Sequence, residues 1–187
     1  MTETSTGLVL DRTQSLLLVV DIQDRLVPAI LDADTVVDNT ERLIRAARRL
    51  DVPLAASEQY RKGLGETVAD VRDRLADAER LEKMTFDATR DPDFRAHIAG
   101  MSRQQAVIVG TEAHVCVLQT ALGCLGMGIQ PWVVADAVGS RATANRDLAL
   151  DRLRQAGAVV VSTEMVLFEW LERAGTDDFR ALRELIR

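Results

Sequence analysis

Three reactive side chains stand at the ends of short candidate strands. Asp21 directly follows SLLLVV, Lys83 follows RLE, and Cys116 lies just beyond AVIVG in the stretch AVIVGTEAHVCVL. If each run is a strand of one parallel sheet, the three meet at its carboxyl edge, where loops and helix N-termini converge on ligands. The chemistry they offer together is acyl transfer. A thiol near a helix N-terminus has its thiolate stabilised by backbone N–H groups and by the helix dipole. A lysine ammonium beside it lowers the thiol pKa further, and a carboxylate can take the thiol proton and later hand it to a leaving group. The same helix start supplies N–H donors for an oxyanion. Each residue also has a plainer reading: a turn or N-cap aspartate, a solvated lysine, a buried inert cysteine. Their joint arrival at one sheet edge favours the nucleophile.

The elements that must position them follow from the alternation of short apolar runs with amphipathic segments, the pattern of βαβ units and a parallel sheet. Strands are predicted at 15–20, 53–56, 80–82, 105–109, 129–135 and 158–161. Helices are predicted at 35–50, in the charged segment after a turn at Gly63–Gly65, from Pro92 toward Ala99, and at 115–125, 145–156, 163–173 and 176–186. In the first, Val36, Val37, Leu43, Ile44, Ala47 and Leu50 fall near helical spacing. Pro92 suits a first helical turn, and Gly157 a helix stop. No repeat, low-complexity linker or composition break divides the chain. Its 187 residues are therefore read as one domain, with about the first 12 as a peripheral or flexible segment.

Composition removes several classes of function. Apolar residues make up 47% and charged residues 28%, as in ordinary globular domains. A net charge of −6 and a pI near 5.0 give no global attraction to nucleic acid or anionic membrane. No basic cluster interleaved with aromatics appears either. Cys116 and Cys124 fall 8 positions apart on one predicted helix, about 12 Å between Cα atoms and too far for a bridge. A reducing, cytoplasmic setting follows. The opening MTETSTGLVLDR lacks a basic region followed by an apolar core, and no apolar stretch is long enough to span a bilayer. Gly123, Gly126 and Gly128 end a helix and precede a strand, the reverse of a dinucleotide-binding loop. No P-loop or G-x-S-x-G elbow occurs. His97 and His114 are the only histidines, and neither has metal-ligand spacing. No cofactor or metal is expected.

Taken together, these motifs resemble the isochorismatase-like cysteine hydrolases over nearly the whole chain, in the branch of small bacterial hydrolases and isochorismatase-domain proteins. LLLVVDIQDRLVPAI resembles the family's first strand with its aspartate. SEQYRKGLG and EKMTFDA resemble the following loops, the second carrying the lysine. GTEAHVCVLQTALGCL resembles the nucleophile motif, and VVADAVGSRATANRDLAL and STEMVLFEWL the later elements. The resemblance implies an open six-stranded parallel sheet flanked by helices on both faces, a Rossmann-like three-layer α/β/α fold. It implies an Asp21–Lys83–Cys116 triad and a cis peptide at Thr111–Glu112 that aims the Glu112 N–H beside that of Cys116 as an oxyanion hole. In that role Glu112 acts through its backbone, and its side-chain charge is not needed. Gln23, Tyr60, Phe86 and Val115 match pocket-lining positions.

Departures sharpen the expectation. Nicotinamidases in this superfamily carry an Asp-x-His metal motif and another histidine after the second strand. SEQYRKGLGE has no histidine, so a zinc or iron site is not expected. Isochorismatases proper lack the nucleophilic cysteine that this chain has. The expected activity is cofactor-free hydrolysis of a small amide or related C–N bond through a thioester on Cys116. Asp21 is then the acid/base and Lys83 the thiolate stabiliser. The alternatives are a non-catalytic interaction or regulatory protein retaining the fold, and a thiol redox sensor. The segments VCVLQTALGCL and EMVLFEWL are apolar around much of a helix, more than one core-facing stripe requires. A homo-oligomer, at least a dimer, is expected.

Overall fold

The computed structural model describes residues 7–186. Six strands pair side by side in one sheet: β1 (Ser15–Val20), β2 (Leu54–Gln59), β3 (Arg80–Lys83), β4 (Gln105–Thr111), β5 (Gln130–Gly139) and β6 (Val159–Val161). Their order is β3-β2-β1-β4-β5-β6, and every pairing is parallel. All positions of β1, β2 and β4 are buried. Strands covered on both faces read as continuous apolar runs, and this is why SLLLVV and AVIV were legible.

The helices are α1 (Ala33–Arg49), α2 (Arg61–Leu64), α3 (Ala69–Arg72), α4 (Pro92–Gly100), α5 (Leu118–Gly126), α6 (Thr143–Gln155), α7 (Thr163–Leu171) and α8 (Asp177–Leu182). Two separate cores result. On one face Leu17, Val19, Val107 and Val109 pack with Leu43, Ile44 and Ala47 of α1, Trp170 of α7 and Leu182 of α8. On the other, Leu16, Leu18, Ala106 and Ile108 pack with Phe94 and Ile98 of α4, Ala121 of α5 and Leu153 of α6. The expected three-layer α/β/α fold is therefore present. Successive strands run outward in one direction from β1 and in the other from β4. The crevice at such a reversal is where open parallel sheets take ligands.

Several boundaries differ from the sequence reading. β2 continues three residues past Ala56, through Ser57, Glu58 and Gln59, because their polar side chains are buried with partners. The segment after Gly65 forms only the single turn α3 and a 3-10 turn at Asp77–Glu79. It offers few apolar side chains, Val71 and Leu75 being its buried ones, to hold a longer helix down. Gly63 lies inside α2, and Gly65 ends it with φ 81°. Residues 1–6 of the expected peripheral segment lie outside the described residues. The part at 10–12 is docked: Leu10 is buried, its N–H donates to Glu169 Oε2 at 2.7 Å, and the Asp11 N–H donates to Gln105 Oε1 at 2.8 Å. Among the described residues, no helix is long and apolar enough to cross a membrane.

Candidate active site

Asp21 is the first residue past β1, and its backbone is left-handed at φ 51°. Aspartate is among the few residues that visit this region, and here the kink is bolted in place. Its N–H donates to Ser57 O at 3.1 Å, while its carbonyl accepts from the Gln23 N–H at 3.0 Å and from Thr111 Oγ1 at 2.5 Å. The carboxylate is fully buried. Ser57 Oγ donates to Oδ1 at 2.6 Å, and Lys83 Nζ donates to Oδ2 at 2.8 Å.

Lys83 closes β3, two strands from β1 and so about 10 Å away across the sheet. Its register partner is Gln59, so both side chains project from the same face. The long stem crosses the end of β2, and Nζ donates to Gln59 Oε1 at 2.7 Å and to Thr85 O at 3.2 Å besides Asp21. All three ammonium donors are therefore used.

Cys116 reaches the same place from β4. Gly110, at φ 133°, sits where the β4–β5 register shifts, and a Cβ there would lie 2.0 Å from Val20 O. Only glycine lets β4 approach β1 so closely at this point. The chain then enters a π-helical turn, Ala113–Val117, which continues into α5. Cys116 lies inside that wide turn, a local geometry that recurs at functional sites. The peptide bonds of the described residues are all trans, so the expected cis bond at Thr111–Glu112 is corrected. Trans is the default for a non-proline bond, and the Gly110 bend with the π turn supplies the change of direction.

The thiol is 6% exposed. Burial, and then the Asp21 carboxylate, push its pKa well above the usual thiol value, while Lys83 pulls the other way. The lysine acts in the expected direction without prevailing over burial and Asp21 together.

Other assignments divide. Gln23 is held between loop and strand. Its Nε2 donates to Gln59 O at 3.1 Å and Gly65 O at 2.7 Å, and its Oε1 accepts from the Gln59 N–H at 2.7 Å. Every polar atom of this fully buried amide is committed to pinning loop to strand. Tyr60 and Phe86 are exposed just past the carboxyl ends of β2 and β3, together with Met84. Val115 is half-buried against the core of α4, α5 and α6. The sequence reading missed Ser57, Gln59 and Thr111, which hold Asp21 and Lys83. The available signal was SEQ, a polar triplet closing an apolar strand. Among the described residues, no group of three or more His, Cys, Asp or Glu side chains is placed to hold a metal ion.

Comparison with known proteins agrees with this fold. The family model for the isochorismatase domain matches residues 15–165. The chain is 36% identical over 178 residues to the secreted isochorismatase effector Isc1 of Phytophthora sojae, covering 92% of this chain and 84% of that protein. It is 35% identical over 173 residues to isochorismatase domain-containing protein 2 of Danio rerio, covering 92% and 86%. The structure is similar to MAR1 ribonuclease from Caenorhabditis elegans (TM-score 0.89, 34% identity, 95% and 92% covered). It is also similar to the YcaC gene product of Escherichia coli, described as an octameric hydrolase of unknown specificity (TM-score 0.90, 26% identity, 97% and 92% covered). Asp21, Lys83 and Cys116 all fall inside the matched residues, and the chain belongs to the isochorismatase family.

Proposed function

We propose that this protein is a cofactor-free cysteine hydrolase that cleaves a small amide or related C–N bond. The Asp21 carboxylate takes the Cys116 thiol proton as sulfur attacks the carbonyl carbon. Backbone N–H groups of Glu112 and Cys116 receive the oxyanion. Collapse breaks the C–N bond, Asp21 returns its proton to the departing nitrogen, and a thioester remains on Cys116. Asp21 then takes a proton from water, which attacks the thioester; the C–S bond breaks, a carboxylic acid is released, and Asp21 returns the proton to the Cys116 sulfur. Lys83 holds the Asp21 carboxylate in place and stabilises the thiolate as it forms.

The observation that carries this reading is the fully buried Lys83–Asp21 pair set against the thiol. Apolar residues of similar volume are often equal or better for stability than a buried ion pair. A pair kept at the ligand edge of the sheet therefore supports catalysis over a scaffold that only binds partners. The redox-sensor alternative needs an accessible low-pKa thiol and a resolving cysteine. Cys116 is raised, and Cys124, fully buried, is pushed up to about 12 by burial and by Asp87. Two free buried cysteines fit a reducing compartment, and we place the protein in the cytoplasm.

The test is a screen of small amides and ureides with mass spectrometry of the Cys116 peptide. An acyl adduct on Cys116 that turns over with release of amine or ammonia is expected. No hydrolysis across a broad screen would sink the proposal.

A further inference from the structure

Glu112 stands at the N-cap of the turn that carries Cys116, yet its side chain caps nothing there. The short side chains of Ser, Thr, Asp and Asn are the ones that cap there by accepting first-turn N–H groups, and the longer Glu112 does not. Here it turns sideways to the loop after β5. The carboxylate is nearly buried, with 9% of the side chain exposed, and Oε1 pairs with Arg141 Nε. Oε2 lies 3.4 Å from the Arg141 backbone N–H and 3.4 Å from His114 Nδ1. His114 in turn lies 3.0 Å from Ser140 Oγ through the same Nδ1, and 3.4 Å from Asn145 Nδ2 through Nε2. Ser140 is buried, and its carbonyl accepts from the Leu31 N–H at 3.1 Å.

The arrangement has two consequences. The turn is strapped to the β5–α6 connection, 29 residues away in sequence. The Val115 and Val117 N–H groups donate to the Glu112 carbonyl at 3.0 and 3.3 Å, and no side-chain cap from Glu112 competes for the other N–H groups of the turn. Resting on the acyl-transfer reading, we propose that the Glu112 carboxylate is a positioning residue. By gripping Arg141 and His114, it holds the turn so that its N–H groups face the oxygen of the tetrahedral intermediate. Arg141 also balances the Glu112 charge, which would otherwise oppose a second negative charge forming nearby. The side chain therefore matters, in contrast to an expectation that only the Glu112 backbone acts.

The experiment reads the tetrahedral oxygen without needing a hydrolysable substrate. Propionaldehyde adds to the Cys116 thiol: the S–C bond forms, the carbonyl becomes a single C–O bond, and the thiol proton ends on that oxygen. Its affinity is measured as protection of Cys116 against iodoacetamide, followed by mass. Alkylation by iodoacetamide alone displaces iodide, forms no oxyanion and serves as the control.

Glu112→Ala is expected to weaken propionaldehyde about tenfold or more, with the alkylation rate kept within about twofold. Glu112→Gln, whose amide oxygen still accepts from Arg141, should stay within about threefold of the native protein. Arg141→Ala removes a guanidinium that is 63% exposed, so the fold is expected to survive, and it should weaken propionaldehyde about threefold. The proposal is overturned if Arg141→Ala and Glu112→Ala bind propionaldehyde like the native protein, or if alkylation falls in parallel with aldehyde affinity. Glu112-dependent aldehyde binding with no amide turnover would sink the hydrolase reading and keep this one. A Cys116 inert to both reagents would end both.

Discussion

Lys83 Nζ and Asp21 Oδ2 stand 2.8 Å apart with neither side chain exposed to solvent. Ser57 donates to the other Asp21 oxygen, and Gln59 Oε1 and the Thr85 carbonyl take the two remaining Lys83 donors. A buried pair this well satisfied is rigid, and the thiol of Cys116 feels both charges, the carboxylate more strongly.

Breaking the pair should therefore cost stability and activity together. Lys83→Met leaves the Asp21 carboxylate buried without its cation, a loss of roughly 3–5 kcal/mol in such cases. Adding Asp21→Asn should recover much of that stability while activity stays absent. Urea unfolding of the single and double variants, alongside turnover, separates the two roles. Equal stability of the single variant and the native protein would contradict this.

Cys116→Ala should reduce hydrolysis about a thousandfold or more with the fold intact. Cys124→Ala should keep most activity, since that thiol is fully buried within α5, 8 residues beyond Cys116. Retained turnover in Cys116→Ala, on a substrate the native protein cleaves, would show the nucleophile to be misassigned.

Reactivity of the resting thiol should follow its raised pKa. The thiolate fraction then grows about tenfold per pH unit, so iodoacetamide alkylation of Cys116 should climb through the range from about pH 7 to 9 without levelling. The sign is fixed by the causes: burial and Asp21 both favour the protonated form, and Lys83 alone opposes them. A rate that levels off below about pH 8 would indicate a low-pKa thiolate instead.

Activity should survive exhaustive chelation, and metal analysis should find no stoichiometric zinc, iron or manganese. The prediction rests on SEQYRKGLGE, which offers no histidine where metal-binding relatives carry theirs. Loss of activity on chelation with recovery on adding one metal would refute it.

Assembly is the fifth expectation. Met165 and Phe168, one turn apart on α7, remain exposed at 53% and 47%, while Val166, Leu167 and Trp170 fill the core. α5 buries Leu118, Ala121 and Cys124. The chain thus covers most of both apolar helices itself, and the residue left over supports a homo-oligomer, at least a dimer. Light scattering at micromolar concentration checks this; a mass near 20.6 kDa would rule out a stable assembly.

The sequence alone determined the order of the strands and of the longer helices along the chain, because apolar periodicity reports local burial. Asp21 follows the fully buried β1, whereas Lys83 closes β3, which is only partly buried, and Cys116 lies in the turn past β4. Partners were beyond the reach of the sequence. Ser57 is 36 residues from Asp21, Gln59 is 24 from Lys83, and Arg141 is 29 from Glu112; the sheet order and the β4 bend bring them together. The π turn likewise follows the close approach of β4 to β1 at Gly110, and the burial of Gln23 follows from its bonds to Gln59 and Gly65. A polar side chain carries no periodicity of its own. Its role is set by which donor or acceptor the tertiary fold places within hydrogen-bond reach, and a buried one without a partner costs too much to keep.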